Sequence, residues 1–381
     1  MRTAVTEMLG VEFPLIAFSH CRDVVVEVSK AGGFGIFGAA GIGPGKLEAE
    51  LAWIDEHVDG KPYGVDLIVP MRYESKGARV TRDDQVSKVP ETHLDFVTSV
   101  FNRHGIEGDA LDPESLKRGT RLGTNIRDDG ASALLEVAFA HPIRLIANAL
   151  GTPPDYMIEM ARRHGVPVAA LVGAREHAIK QVQAGVDLIV ASGGEAGGHC
   201  GDVSTMILVP EVVRAVREIS DIPVVAAGGI VTGEQMAACM AMGAHGVWTG
   251  SVWLTTAEAE TSPVVKEKML AATSRETIRT KSRTGKPSRQ LRSAWTDAWE
   301  EPDAPKPLPM PLQSIITEPA MARITRLAEG GHEGAKDMAS YFVGQGVGLM
   351  TTAQSAKGVV YQFMEEFIEA SERLRGVMAE D

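Results

Sequence analysis

The chain has 381 residues, a formal net charge of −12 and a hydrophobic fraction of 44%. The hydrophobic content is sufficient for a sizeable core, and the acidic balance excludes the basic stripe that nucleic-acid-binding proteins present. Three cysteines without CxxC spacing indicate neither a disulfide framework nor a zinc site, and no apolar run reaches transmembrane length, so we expect a cytoplasmic protein that binds no nucleic acid, metal or membrane.

Eight short apolar runs follow one another along the chain, separated by segments of helical period. Each run is too short for a surface helix and too uniformly apolar for a strand with one solvated face, which is typical of buried parallel strands. The runs are PLIAF (14–18), FGIFGA (34–39), YGVDLIV (63–69), IRLIANAL (143–150), PVAALVG (167–173), DLIVASG (187–193), PVVAAGG (223–229) and GVWTGSV (246–252). Eight strand–helix units predict an α/β fold of the (β/α)8 TIM-barrel type. The alternative, a doubly wound open sheet, usually carries a GxGxxG turn after its first strand, and PLIAFSHCRD has none.

Two segments depart from this repeat, so we expect the barrel to comprise residues 1–70 and 128–260. Residues 71–127, after the third strand, are polar and charge-rich, and the carboxyl ends of barrel strands carry the active site. We therefore predict a lid or substrate-shaping insertion there; the apolar face of LDFVTSVF argues against a disordered linker. Residues 261–381 predict a mostly helical extension that packs on the outside of the barrel or in a homodimer contact.

Glycines and small residues follow the seventh and eighth strands. Gly228 and Gly229 end the seventh strand, and Gly250 and Ser251 end the eighth. Loops at these two positions form the usual phosphate site of a barrel, because exposed main-chain N–H groups and helix amino termini favour an anion. The alternative is that these glycines only make tight strand-to-helix turns.

The segment GGEAGGHCGD (193–202) places five glycines around one histidine after the sixth strand. So many glycines in one loop indicate that another group comes close to the main chain there, where a side chain would be in the way. A flat cofactor or substrate is one such group. His199 titrates near neutrality, so it can remove a carbon-bound proton or hold an anionic substrate. A histidine with a purely structural role is the alternative.

Several of these motifs together resemble the nitronate monooxygenase family, once called 2-nitropropane dioxygenases. These are FMN-dependent TIM barrels related to flavin-dependent enoyl-thioester reductases. The motifs are EAGGH (195–199), AAGGI (226–230), GVWTGSVWL (246–254), TGKPSRQLRS (284–293) and VGQGVGL (343–349). The resemblance implies that His199 is the catalytic histidine and that Gly197 and Gly198 face the flavin. It also implies that the FMN phosphate binds at Gly228, Gly229, Gly250 and Ser251.

Four positions depart from the family pattern, and the resemblance places all four near the flavin ring. His20 stands where a methionine is usual, and Asn148 lies in NALG, where an SFG-like sequence is usual; both become candidate substrate contacts. Asp66 replaces an asparagine and Ser192 replaces a glutamine, and both become candidate cofactor contacts. A structural carboxylate bonded to a neighbouring loop is the alternative for Asp66.

Three functions are therefore open. The first is FMN-dependent oxidation of nitronates or nitroalkanes with O2, in which His199 acts as base or holds the anion. The second is NAD(P)H-dependent reduction of an activated C=C bond, such as that of an enoyl-CoA or related acyl-CoA thioester. The third is binding of flavin or another phosphate ligand without turnover. Basic residues of the insertion offer charges for a CoA phosphate: Arg72, Lys76, Arg79, Lys117, Arg118 and Arg121.

Overall fold

A computed structural model describes residues 1–69, 82–108, 111, 116, 128–149 and 151–378. The six basic residues considered for a CoA phosphate lie outside these ranges. Within them, no helix is long and apolar enough to cross a membrane.

Eight parallel strands close into a barrel, as predicted, and each falls on one of the eight apolar runs. Their bounds are β1 Leu15–Ser19, β2 Phe34–Gly38, β3 Tyr63–Leu67, β4 Leu145–Asn148, β5 Val168–Val172, β6 Leu188–Ser192, β8 Val224–Ala227 and β9 Val247–Thr249. Three short strands form a separate sheet of order β10-β11-β7, with bounds β7 Gly198–His199, β10 Thr277–Thr280 and β11 Ser288–Leu291. Two of these strands, β10 and β11, lie in the extension that the sequence predicts to be mostly helical, and the small sheet was not among the predicted elements.

Helices surround the barrel and build the extension. They are α1 Ala4–Leu9, α2 Arg22–Lys30, α3 Pro44–His57, α4 Arg82–Val86, α5 Glu91–Arg103, α6 Asp128–Ala140, α7 Asp155–His164, α8 Arg175–Gln183, α9 Thr205–Arg217, α10 Gly233–Ala241, α11 Pro263–Ala271, α12 Ala294–Ala298, α13 Leu312–Glu329, α14 Glu333–Met338 and α15 Ala356–Met378. Short 3-10 helices cover Ser251–Thr255, Ser274–Glu276 and Gln345–Leu349.

The strands are uniformly apolar because both of their faces are buried. Side chains such as Ile16, Leu188 and Trp248 point into the barrel, where they form a core of their own. Val5 and Leu9 of α1 join that inner core, so this helix covers the amino-terminal end of the barrel. Alternate strand residues face outward and pack under the surrounding helices in a second, larger core. Burial on both sides removes the polar alternation that a solvated strand would show.

The helix that packs beside α10 and α2 comes from the extension. α15 contacts both of them and so fills the place of the helix that would follow the eighth strand. The carboxylate of Glu366 on α15 accepts a hydrogen bond from the main-chain N–H of Gly233 at 2.7 Å. Arg373 pairs with Glu234 of α10 at 2.9 Å. The extension therefore completes the outer ring of the barrel.

The described part of the insertion packs on the extension. Phe96 and Phe101 of α5 make edge-to-face contacts with Trp299 and Trp295, with ring centroids 4.8 and 6.3 Å apart. Arg323 of α13 donates a hydrogen bond to the carbonyl of Glu107 at 2.8 Å. The insertion and the extension thus form one layer, which explains the apolar face of LDFVTSVF.

This aromatic contact leads to a prediction about the stability of a variant. Phe101 is fully buried, so Phe101→Ala should lower the free energy of unfolding by about 3–5 kcal/mol, the usual cost of truncating a buried phenylalanine. Urea unfolding measures the effect. Asn102→Ala on the exposed face of the same helix is the control and should change it by no more than about 0.5 kcal/mol. Equal stability of the two variants would contradict the packing described here.

Candidate active site

Glu195 anchors the glycine-rich loop that follows β6. Its carboxylate accepts hydrogen bonds from both the main-chain N–H and the hydroxyl of Thr205, each at 2.8 Å. The same hydroxyl lies 2.9 Å from the carbonyl oxygen of Gly228, and the N–H of Gly193 donates to the carbonyl of Ala227 at 3.0 Å. The loops after β6 and β8 are therefore held together at the first turn of α9.

The glycines of this loop serve different purposes. A β-carbon on Gly197 would lie 2.8 Å from main-chain atoms of Val343 and Gly344. The extension therefore approaches Gly197 closely enough to exclude a side chain there. Gly198 differs, because its φ of +75° is in the left-handed region and nothing lies within 4 Å of its β-carbon position. Gly198 leaves open space beside His199.

His199 lies on β7, which pairs with β11, so that His199 stands opposite Ser288. Its Nε2 lies 2.8 Å from the hydroxyl oxygen of Thr284. The side chain is accessible to solvent, yet surrounding protein atoms and the charge of Lys286 lower its pKa below the usual 6.5. The imidazole is therefore neutral at pH 7, which is the form that can accept a proton.

Main-chain N–H groups are free at the ends of β8 and β9. Those of Gly228, Gly229, Gly250 and Ser251 donate to no other group in the part of the chain that the structure describes. Gly228 and Gly229 have φ values of +108° and +71°. Ser251 begins a 3-10 helix, and its hydroxyl accepts a hydrogen bond from the N–H of Gly344 at 2.8 Å. β8 and β9 are neighbours in the barrel, so these free donors form a cradle suited to an anion.

Asp66 lies near the carboxyl end of β3 and is 4% exposed. Its Oδ1 is buried and has no hydrogen-bond partner among the described residues. Burial without a compensating charge raises the pKa of this carboxyl to about 7. The alternative interpretation, a carboxylate bonded to a neighbouring loop, has no support at Oδ1 among the described residues. Near pH 7 the group is protonated in a large fraction of molecules and can donate as well as accept a hydrogen bond.

His20 follows β1 and is neutral as well. Its Nδ1 lies 2.7 Å from the carbonyl oxygen of Gly38, and because a carbonyl only accepts, Nδ1 carries the proton. The ring meets Phe18 edge-on with centroids 5.0 Å apart. Surrounding protein atoms lower the pKa of His20, so Nε2 is left with a lone pair.

Asn148 and Ser192 end β4 and β6 and differ in their hydrogen bonding. Asn148 is fully buried, and its amide accepts from the N–H of Val69 at 2.9 Å and donates to the carbonyls of Val69 and Gly151 at 3.2 and 3.4 Å. The amide of Asn148 therefore braces the segments at Val69 and Gly151. Ser192 ends β6, is half-buried and forms no side-chain hydrogen bond to any described residue.

Three contributors were missed by the sequence reasoning. Thr284 contacts His199, Glu195 anchors the loop, and the segment 343–346 packs on Glu195 and Gly197. The motifs TGKPSRQLRS and VGQGVGL contain two of these contributors, so the signal was present without a role attached to it. No group of three or more potential metal ligands occurs in the described ranges.

Comparison with known proteins identifies the family. A family profile described as nitronate monooxygenase matches residues 2–366. The chain belongs to the nitronate monooxygenase family. A Mycobacterium tuberculosis protein named as a monooxygenase is 53% identical over 379 residues, covering 99% of this chain and all of that protein. Membership makes the chain a flavin-dependent oxidoreductase, and it confirms the predicted resemblance.

Two solved structures of similar fold extend over the whole chain. A nitroalkane oxidase from Streptomyces ansochromogenes is 26% identical with a TM-score of 0.77, covering 98% of this chain and 100% of that one. FabK from Thermotoga maritima is 27% identical with a TM-score of 0.71, covering 99% of both chains. The predicted TIM-barrel fold is confirmed.

The residues of this nitronate monooxygenase family member fit a flavin. The cradle of free N–H groups after β8 and β9 can take a phosphate, and the orphaned Asp66 carboxyl can bond a polar ring atom. Gly198 adds open space beside the neutral His199. These are the three features that a flavin site in a barrel needs: an anion site, a polar contact for the ring and room for a flat molecule.

The packing of Gly197 leads to a first prediction for the site. Gly197→Ala forces the main chains of the loop and the segment 343–346 apart, so we expect a loss of about 1–3 kcal/mol, the usual cost of overpacking. Thermal unfolding of the purified protein measures it. Gly45→Ala in α3 has nothing within 4 Å of the new β-carbon and should be neutral or slightly stabilising. A Gly197→Ala protein as stable as wild type would refute the close approach.

Asp66 leads to a second prediction, on pH. Its folded-state pKa of about 7 lies above the ordinary 3.8, so its ionisation destabilises the folded state, and stability falls as pH rises towards and through 7. Between pH 5 and pH 8 the flavin-free wild type should lose about 2–3 kcal/mol more than Asp66→Asn does. Urea unfolding at the two pH values measures this difference. If the free energies of unfolding of the two proteins changed with pH in parallel, the idea of a buried, uncharged carboxyl would be wrong.

Proposed function

We propose that the protein is a cytoplasmic, FMN-dependent oxidoreductase that oxidises nitronates or nitroalkanes with O2. The observation that carries the proposal is a neutral, hydrogen-bonded His199 next to the open space at Gly198, at the end of a barrel that also holds an anion cradle. The nitroalkane oxidase neighbour, similar over the whole chain, supports the same chemistry. The substrate is a small molecule, and O2 is the second reactant.

The anion cradle supports FMN as the flavin. Gly228, Gly229, Gly250 and Ser251 would hold its single phosphate through main-chain donors. Asp66, Ser192, Gly197 and Gly198 would face the ring. A flavin held there would supply the redox chemistry between the substrate and O2.

His199 starts the reaction of a neutral nitroalkane by accepting a proton from its α-carbon. The electron pair of the broken C–H bond stays on the substrate, which becomes the nitronate anion. The proton goes to the imidazole, which becomes an imidazolium and holds that anion. A lowered pKa keeps the imidazole unprotonated before the step. His20 and Asn148 are the candidates for a substrate contact, and Nε2 of His20 has no hydrogen-bond partner in the described part of the chain.

The partition of the chain is part of the proposal. Residues 1–70 and 128–260 would form the flavin-binding barrel, 261–381 the extension that packs on it, and 71–127 the insertion that shapes the substrate site. The insertion follows β3, the strand that carries Asp66, and this placement supports its role.

A second candidate is NAD(P)H-dependent reduction of an activated C=C bond, such as that of an enoyl-CoA. The likeness to FabK over 99% of both chains supports it, because the family is related to flavin-dependent enoyl-thioester reductases. Anaerobic mixing of the flavin-loaded protein with NADH or NADPH in a stopped-flow instrument separates the candidates. Rapid bleaching of the flavin favours the reductase, and no bleaching favours the oxidase.

Replacement of the proposed base tests the leading function. With a neutral nitroalkane, His199→Asn should lower the rate of oxygen uptake by about 10²–10⁴-fold, the usual contribution of a positioned base. With a preformed nitronate the loss should be smaller, because no proton has to be removed. An oxygen electrode measures both rates, and visible absorbance confirms that flavin is retained.

His177→Asn, at an exposed histidine of α8, is the matched control and should keep the wild-type rates. If wild-type protein loaded with FMN consumes no oxygen with either substrate, the proposed function is wrong. Equal losses with nitroalkane and nitronate would exclude proton abstraction by His199.

A further inference from the structure

The extension brings a hydroxyl group to His199. The turn between β10 and β11 carries Thr284, which is 5% exposed, and its Oγ1 lies 2.8 Å from Nε2 of His199. The two residues are 85 positions apart in the chain. Pairing of β11 with β7 sets this contact, because Ser288 stands opposite His199 in the sheet.

The residues directly before Thr284 are held by α13. The guanidinium of Arg283 makes two hydrogen bonds to the carboxylate of Glu318 on α13, at 2.8 and 3.1 Å. The hydroxyl of Thr317 donates to the carbonyl of Arg283. Gln313 donates from its amide to the carbonyl of Ser282 at 2.8 Å. These contacts fix the main chain from which the Thr284 side chain extends.

The hydroxyl of Thr284 also contacts the main chain of Lys286. Oγ1 lies 3.3 Å from the main-chain N and 3.2 Å from the carbonyl oxygen of that residue. The N–H can only donate and the carbonyl can only accept, so a hydroxyl that donates to the carbonyl satisfies both groups of Lys286. In that arrangement the lone pair that remains on Oγ1 faces His199, and Nε2 supplies the proton of that contact.

We propose that Thr284 is a positioning residue that fixes His199 as the tautomer protonated on Nε2. Nδ1 has no hydrogen-bond partner in the described chain. In this tautomer Nδ1 carries the lone pair that accepts the substrate proton. Oγ1 also stabilises the imidazolium that this transfer produces, because a hydrogen bond from a charged donor is stronger than one from a neutral donor. The proposal rests on the assignment of His199 as the base.

Histidine-selective 15N NMR on the full-length, flavin-loaded protein tests the tautomer directly. Comparison with His199→Asn identifies the His199 signals. The wild type should show Nε2 protonated and Nδ1 bare above the pKa of His199. In Thr284→Val, which has nearly the same shape without the hydroxyl, the signals should move towards a mixture of both tautomers. Thr284→Ser keeps the hydroxyl and should keep the wild-type pattern.

Steady-state oxygen uptake supplies the second measurement. Thr284→Val should lower kcat/KM for a neutral nitroalkane by about 10- to 100-fold, a part of the effect of a positioned base. Thr284→Ser should recover most of that loss. Lys281→Ala, at an exposed side chain of the same turn, is the control for general damage to the turn. Thr284→Ala replaces the valine variant if that variant does not fold.

The outcomes are distinguishable from those for the proposed function. An Nδ1-protonated His199 in the wild type, or an unchanged tautomer in both hydroxyl-free variants, overturns the proposal whatever the substrate is. Equal activity losses in the serine and valine variants also overturn it. Absence of nitroalkane activity in the wild type overturns the proposed function instead, while the NMR comparison still reports on Thr284.

Discussion

Main-chain contact between the segment 343–346 and the loops at the barrel mouth is the constraint on which the site depends. The N–H of Gln345 donates to the carbonyl of Glu195 at 2.9 Å, and the N–H of Gly344 donates to the hydroxyl of Ser251 at 2.8 Å. A β-carbon on Gly344 would come within 2.6 Å of the Glu195 carbonyl. Contacts this short leave room for glycine only. They fix the loops after β6 and β9 to one piece of chain, so the anion cradle and His199 keep a constant relative position.

Three ionisable groups of the site are driven towards their neutral forms. Burial raises the pKa of Asp66 and lowers the pKa values of His20 and His199. Charged groups lie beside them: the carboxylate of Glu195 holds the loop after β6 through Thr205, and the charge of Lys286 contributes to the lowered pKa of His199. The groups proposed to meet the ligand are therefore driven towards neutrality, whereas a charged carboxylate holds the loop beside them.

Sequence reasoning located the strands and His199 because both depend on local patterns. A strand buried on two faces is apolar throughout, and a residue at the end of such a strand lies at the mouth of the barrel. The partner of His199 could not be found in this way, because Thr284 reaches it through the pairing of two short strands that show no strong periodicity. The approach of the extension to Gly197 could not be found for a similar reason. A glycine indicates that another group lies close to the main chain, but the sequence does not show whether that group belongs to a ligand or to the protein. The orphaned oxygen of Asp66 also needed the structure, since burial without a partner is a property of the surroundings.

The position of α15 has a consequence for how the chain folds. Roughly 100 residues separate the end of β9 from the helix that covers α10 and α2. Until α15 packs, the apolar sides of α10 and α2 remain exposed to water. The chain segment that must close is long, which slows folding. The barrel therefore cannot acquire its full stability ahead of the extension. A cut near residue 260 would divide a cooperative unit, and each fragment would carry an uncovered apolar surface of the kind that drives aggregation.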